Sequence, residues 1–271
     1  MATPPAPERH TAPAPEPHAA SAPEQHPAPE PHSAPEPHPA PEPDPALIAA
    51  IHAALAAQAD PVRAAGQQRY MKSSMPYLGL TSPQLKATLR PILRDPAYRL
   101  DNRERWEATV RALWDGATHR EHWYAALALA GHKHYRPWRD LGTLDLYRHL
   151  ILTGQWWDVV DEIATHRVRE VLDTHPDAMS MTLRQWAIDD NLWIRRSAML
   201  SQVGRRERTD PQLLADTITP NIDGRDFFSR KAIGWALREY ARTNPDWVRA
   251  FVARHPDLSG LSRREALKHL D

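Results

Sequence analysis

Sixteen of the chain's 27 prolines fall within its first 46 residues, a segment that has no glycine. Proline at nearly every second position removes amide donors and enforces polyproline II, so neither helix nor sheet can form there. The text repeats a five-residue unit, as in Ala14-Pro15-Glu16-Pro17-His18 and Ala34-Pro35-Glu36-Pro37-His38. It carries seven acids against one base, Arg9, and too little apolar surface to offset the entropy of ordering. Residues 1–46 therefore read as a disordered, semi-rigid leader, dispensable for any chemistry. Its histidines (His10, His18, His26, His32 and His38) either bind a metal weakly or simply punctuate a spacer.

The remaining prolines do different work. Asp44-Pro45, Asp60-Pro61, Ser82-Pro83, Asp210-Pro211 and Asn244-Pro245 each place a capping side chain before a proline at the start of a helix. Thr118-His119-Arg120-Glu121 and Ser262-Arg263-Arg264-Glu265 have the spacing of capping boxes. No stretch alternates with period two. The expectation for residues 47–271 is one all-α domain.

That body keeps 33 basic and 27 acidic residues, an excess of six positive charges masked by the acidic leader. There is no cysteine, which excludes disulfides, thiolate zinc sites and cysteine nucleophiles. The start of the chain lacks the order of a signal peptide, and no apolar run is long enough to span a bilayer. A cytoplasmic protein without membrane contact is expected. No GxSxG, phosphate-cradling glycine loop or HExxH occurs. His119-x-x-His122 and His132-x-His134 lack a third ligand, so no metal and no cofactor are expected.

Aromatic residues recur at Trp123, Trp157, Trp193 and Phe228, at intervals in the mid-thirties. A helical repeat of that length predicts stacked helix pairs, a right-handed or curved solenoid with a long concave surface and a large partner. Trp106, Trp114, Trp123 and Trp186 are expected in the core. Trp235 is not: it sits across the helix from Ile233 and Leu237, beside Lys231, Arg238 and Glu239. Arg196 stands on an apolar stripe with Leu192, Trp193, Met199 and Leu200. It must either snorkel or emerge where a forked cation is needed, such as at a phosphate. In Gln155-Trp156-Trp157-Asp158-Val159-Val160-Asp161-Glu162, Trp157 and Asp161 share a helical face with no local Lys or Arg to neutralise the acid. Asp161 is then either part of a cation-seeking site or an early-helix acid favoured by the helix dipole.

Trp157, Arg196 and Trp235 are evenly spaced, and at these residues the chain resembles the bacterial AlkD family of DNA alkylation-repair glycosylases. The matching text is Tyr70-Met71-Lys72, Pro76-Tyr77-Leu78-Gly79, Trp156 to Asp161, Asp190 to Arg196, Lys231 to Tyr240 and Leu261 to His269. The leader has no counterpart in it. The resemblance implies an all-α, right-handed α-α superhelix of HEAT-like helical repeats. It also implies a monomeric, monofunctional enzyme that hydrolyses the N-glycosidic bond of cationic N3- or N7-alkylated purines in double-stranded DNA, with the base left in the duplex. By the same resemblance Asp161, Trp157, Trp235 and Arg196 are the catalytic set and Tyr70 a further aromatic of the site. Arg196 would grip a phosphate, and Arg230, Lys231, Arg238, Arg263, Arg264 and Lys268 would follow the DNA backbone. The alternative is a non-catalytic HEAT-like module that binds DNA structure or protein.

Overall fold

A computed structural model describes residues 41–270, and every regular element among them is helical. The leader expected over 1–46 lies outside the described residues up to position 40. Its last two positions already belong to the first helix. In chain order the helices are α1 (Pro45–Ala56), α2 (Pro61–Met71), α3 (Ser82–Arg94), α4 (Arg103–Asp115) and α5 (Arg120–Ala130). They continue with α6 (Leu144–Thr153), α7 (Trp157–Glu162), α8 (Arg169–Thr174), α9 (Pro176–Trp186) and α10 (Leu192–Leu200). The last four are α11 (Pro211–Ile218), α12 (Phe227–Ala241), α13 (Pro245–Arg254) and α14 (Gly260–Leu267). A π-helical segment, Ile163–Val168, joins α7 to α8 with helical backbone throughout, so 157–174 is one rod.

Four of the expected starts form as read: Asp44, Asp60, Asp210 and Asn244 each accept an amide of the first turn, with proline next in line. Three do not. At α3 the cap is Thr81, one residue earlier than Ser82-Pro83 suggested, in a box with Gln84. At α5 His119 stands in the cap position without a side-chain bond, and Thr118 does not cap. At α14 Ser259 caps, while Ser262 lies inside the helix and donates to the Arg230 carbonyl. In both failed boxes the glutamate has been drawn into a tertiary contact. Glu121 is 1% exposed and accepts the amides of Leu78 (2.8 Å), Gly79 (2.8 Å) and Leu80 (3.2 Å), pinning the loop before α3. Gly79 in that loop has φ +96°, and a Cβ there would lie 2.2 Å from the Asp60 carbonyl oxygen.

The helices stack in sequence order. One row runs α5, α7–α8, α10, α12, α14, each touching the next. The other helices back it: α4 packs on α5, α6 on the π segment, α9 and α11 on α10, and α13 on α12. The periodic aromatics all fall in the first helical turn of a front-row helix. Trp193 and Phe228 meet there with ring centroids 4.9 Å apart. This is the stack of helix pairs that the sequence period implied.

Trp106, Trp114 and Trp186 are buried in the largest of three apolar clusters, as expected. Trp123 is only half-buried: it stacks on Trp114 at 4.7 Å and donates its indole N–H to the Trp114 carbonyl at 3.0 Å. The second cluster, around Met199, Ile233, Leu237 and Phe251, holds α10 to α14 together. There α12 and α14 approach most closely at Gly234, where a Cβ would sit 2.5 Å from that of Glu265. No single described helix is long and apolar enough to cross a membrane.

Candidate active site

The front-row helices leave an open cleft of about 750 Å³ between α2, α7, α10, α12 and α14. Its walls bring together Tyr70, Trp157, Asp161, Arg196, Lys231, Trp235 and Arg238, seven of the residues singled out from sequence. Arg230, Arg263, Arg264 and Lys268 are not among the lining residues. Arg230 donates to the Gly224 carbonyl and Arg263 to that of His255, while Arg264 and Lys268 are exposed nearby on and just beyond α14.

At the floor, Arg196 closes on Asp161. Its Nε and Nη2 donate to the two carboxylate oxygens at 2.7 and 2.8 Å, and Nη1 donates to the Phe228 carbonyl at 2.6 Å. The side chains are 5% and 16% exposed. This corrects two expectations. Arg196 neither snorkels nor offers its fork to a phosphate, because all three of its nitrogens are engaged. Asp161 does have a neutralising cation, supplied from 35 positions along the chain. Burial outweighs that partner: desolvation, helped by the nearby Asp158, holds the Asp161 carboxyl above its ordinary range, although Arg196 pulls the other way.

Lys231 and Arg238 line the opposite wall and also differ from the expectation of free phosphate contacts. Both pair with Glu265, the lysine at 3.0 Å, and the Lys231 hydrogen bond is the largest influence holding the Glu265 carboxyl below its usual range. Trp235 is partly buried: it lines the cleft and also packs against the apolar cluster around Ile233 and Leu237. Tyr70 stands 78% exposed at the mouth.

Several residues of the site escaped the sequence reading. Trp156, Phe227, Phe228, Lys72 and Glu265 complete the lining. Phe227 is 59% exposed beside the partly buried Phe228. Behind Trp157, Asp158 pairs with Arg120 and accepts the Tyr124 hydroxyl at 2.5 Å. The Tyr124 and Tyr77 hydroxyls are within 3.2 Å of each other, and Tyr77 packs with Trp156 and Trp157. The Arg120 guanidinium lies over the Trp123 ring at 4.7 Å. This network ties the loop that Glu121 pins to the start of α7, so the indole of Trp157 has a fixed support. Among the described residues no cluster of three metal-ligating side chains occurs; His122 instead stacks on His52 at 4.0 Å.

The floor is thus a carboxylate paired with a guanidinium, in an open cleft whose walls also hold Trp157 and Trp235. Residues 51–270 match the family model described as DNA alkylation repair enzyme. Nothing among curated proteins matches the chain. Among solved structures it is similar to a predicted DNA alkylation repair enzyme from Enterococcus faecalis, at 28% identity and a TM-score of 0.71, over 79% of this chain and 97% of that one. With the family model spanning nearly the whole helical stack, the chain belongs to the DNA alkylation repair enzyme family and is an enzyme of DNA repair.

Proposed function

We propose that the protein is a monofunctional DNA glycosylase that removes cationic N3- or N7-alkylated purines from duplex DNA. The observation that carries this reading is the Asp161 carboxylate, held in two hydrogen bonds by Arg196 at the foot of a cleft flanked by Trp157 and Trp235. Alkylation puts a full positive charge on the base. The C1′–N bond can then break with its electron pair passing to the purine, which leaves neutral and needs no general acid. What remains is an oxocarbenium-like sugar. A carboxylate beside it stabilises that charge and accepts a proton as water bonds to C1′. Arg196 favours the charged form of Asp161 and aims it, and the two indole faces attract the developing cation. The open trough and its exposed aromatic rim favour a lesion that stays in the helix over one turned into an enclosed slot. A cytoplasmic monomer acting on double-stranded DNA goes with this reading.

The test is release of base from a duplex carrying one N7-methylguanine. The wild type should free the base and leave an abasic site, uncut and untrapped by borohydride. Asp161→Asn should bind the same duplex but lose about 10²–10³ in rate, the usual cost of removing a well-placed electrostatic stabiliser. Binding without any base release by the wild type would favour the non-catalytic module instead.

A further inference from the structure

A second cleft, of about 790 Å³, opens where α3 ends and where the turn after α5 meets α8, and it takes no part in the site above. Its floor is Tyr135, 3% exposed, with the His134 ring edge-on at 5.1 Å. Two of its cations are spent: Arg139 and Arg136 both bond to Glu170, at 2.9 and 3.0 Å. Its other acid, Asp95, accepts the Ala97 amide. Three more cations, Arg94, Arg99 and Lys133, are exposed and have no carboxylate partner among the described residues. Beside them the Nδ1 of His132 is buried without a hydrogen-bond partner. Burial first, and then the positive field of His134, Lys133, Arg139 and Arg94, lowers the pKa of its ring below the ordinary histidine value.

We propose that this cleft binds the sugar–phosphate backbone of the same duplex, on one flank of the lesion. The proposal rests on the DNA substrate of the reading above. Three unpaired cations on three separate segments suit a linear polyanion better than a single phosphate, which would draw them to one point. The spacing fits as well. Glu170 lies nine residues beyond Asp161 on the continuous rod 157–174, about 13 Å at a rise of 1.5 Å per residue. Along a DNA strand that distance covers about four nucleotides at 3.4 Å each. The contact therefore requires duplex extending beyond the lesion and makes no demand on the lesion itself.

The test is the salt dependence of binding to undamaged duplexes of about 24 and about 8 base pairs, against the triple variant Arg94→Gln/Arg99→Gln/Lys133→Gln. All three side chains are exposed and unpaired, so the fold should persist, which a thermal melt checks. On the long duplex the slope of log affinity against log salt should fall by about 0.9 per cation removed, about 2.7 in all. On the short duplex the slope should not change, and excision at saturating enzyme should stay at the wild-type rate. An unchanged slope on the long duplex overturns the proposal. So does an equal fall on the short one, or an equal fall when Lys86, Arg206 and Arg254, three exposed cations that line neither cleft, are neutralised instead. A wild type that releases no base, but whose slope is still cut by the triple variant, removes the glycosylase reading and leaves this contact standing. An active enzyme with an unchanged slope does the reverse.

Discussion

Replacing Arg196 by alanine separates what the Asp161–Arg196 pair does for the fold from what it does for the chemistry. The substitution leaves Asp161 buried with no cation and removes the additional hydrogen bond that Arg196 donates to the Phe228 carbonyl at the start of α12. Breaking a buried ion pair from one side costs about 3–5 kcal/mol. Asp161 lies at the cleft floor, where water can reach its free edge, so a value near about 3 kcal/mol is expected at neutral pH. The sign of the pH dependence follows from the causes acting on Asp161. Desolvation remains when the two favourable influences of Arg196 are gone, so its carboxyl rises further. A folded-state carboxyl above its unfolded value binds more protons than the unfolded chain, so the variant's deficit should shrink as pH falls. If the proposed glycosylase reaction uses the carboxylate, the acid limb of excision should move to higher pH than in the wild type. Urea unfolding at several pH values and a pH–rate profile measure the two effects. The double variant Asp161→Asn/Arg196→Ala should recover part of the stability and none of the rate, because no buried charge is left. A loss below about 1 kcal/mol together with an unmoved acid limb would refute the argument, since the pair would then be a solvated surface contact.

Glu121→Ala strands three amides of the 78–80 loop and should cost about 4 kcal/mol in urea unfolding, while Glu121→Gln, which keeps one acceptor, should cost clearly less. Gly79→Ala must adopt a left-handed φ against the Asp60 carbonyl; a loss of about 2–4 kcal/mol is expected by the same measurement, and a neutral variant would mean the loop relaxes freely. Burial, reinforced by His52 and His119, lowers His122 to about 4, so the unfolded chain takes up a proton that the folded chain refuses. Stability from this source is complete above about pH 6.5 and drains away as pH falls toward 4, by about 2 kcal/mol. His52→Gln/His122→Gln should flatten melting temperature against pH over that window.

What the sequence disclosed and what it hid divide along the range of the interactions. Helix starts such as Asp60-Pro61 and Asp210-Pro211 are set by neighbours within three residues and were readable directly. The front-row aromatics were readable as well, because a stacked repeat writes its period into the chain. Trp235 betrayed itself by standing on the wrong face of its own helix. Arg196 did too, but its purpose was misread, since the carboxylate it serves lies one repeat earlier. Glu121 and Glu265 illustrate the same limit. A serine or threonine three residues before a glutamate describes a capping box, yet the same glutamate can close on a loop or on two cations, and local spacing does not distinguish these outcomes. The support behind Trp157 was also out of reach, because Tyr77, Tyr124 and Asp158 meet only after three separate segments have folded together.

The π-helical segment that follows Asp161 divides its rod into two phases. In an unbroken α-helix, positions 157, 161, 164 and 168 would share one stripe. Here Trp157 and Asp161 face the cleft, whereas Ala164 and Val168 are fully buried. Bonding to the fifth residue along instead of the fourth accommodates one residue too many and offsets the two halves like gear wheels keyed a tooth apart. The end that carries the carboxylate can thus be aimed without disturbing the end that holds the stack together, and mutations at one end are insulated from the other. Removing one residue from 163–168 would merge the phases and swing Asp161 by about 100° relative to α8, away from Arg196. If excision survived that deletion, the offset would be idle; if it were lost while the melting temperature held, the tooth would be the adjustment that aims the acid.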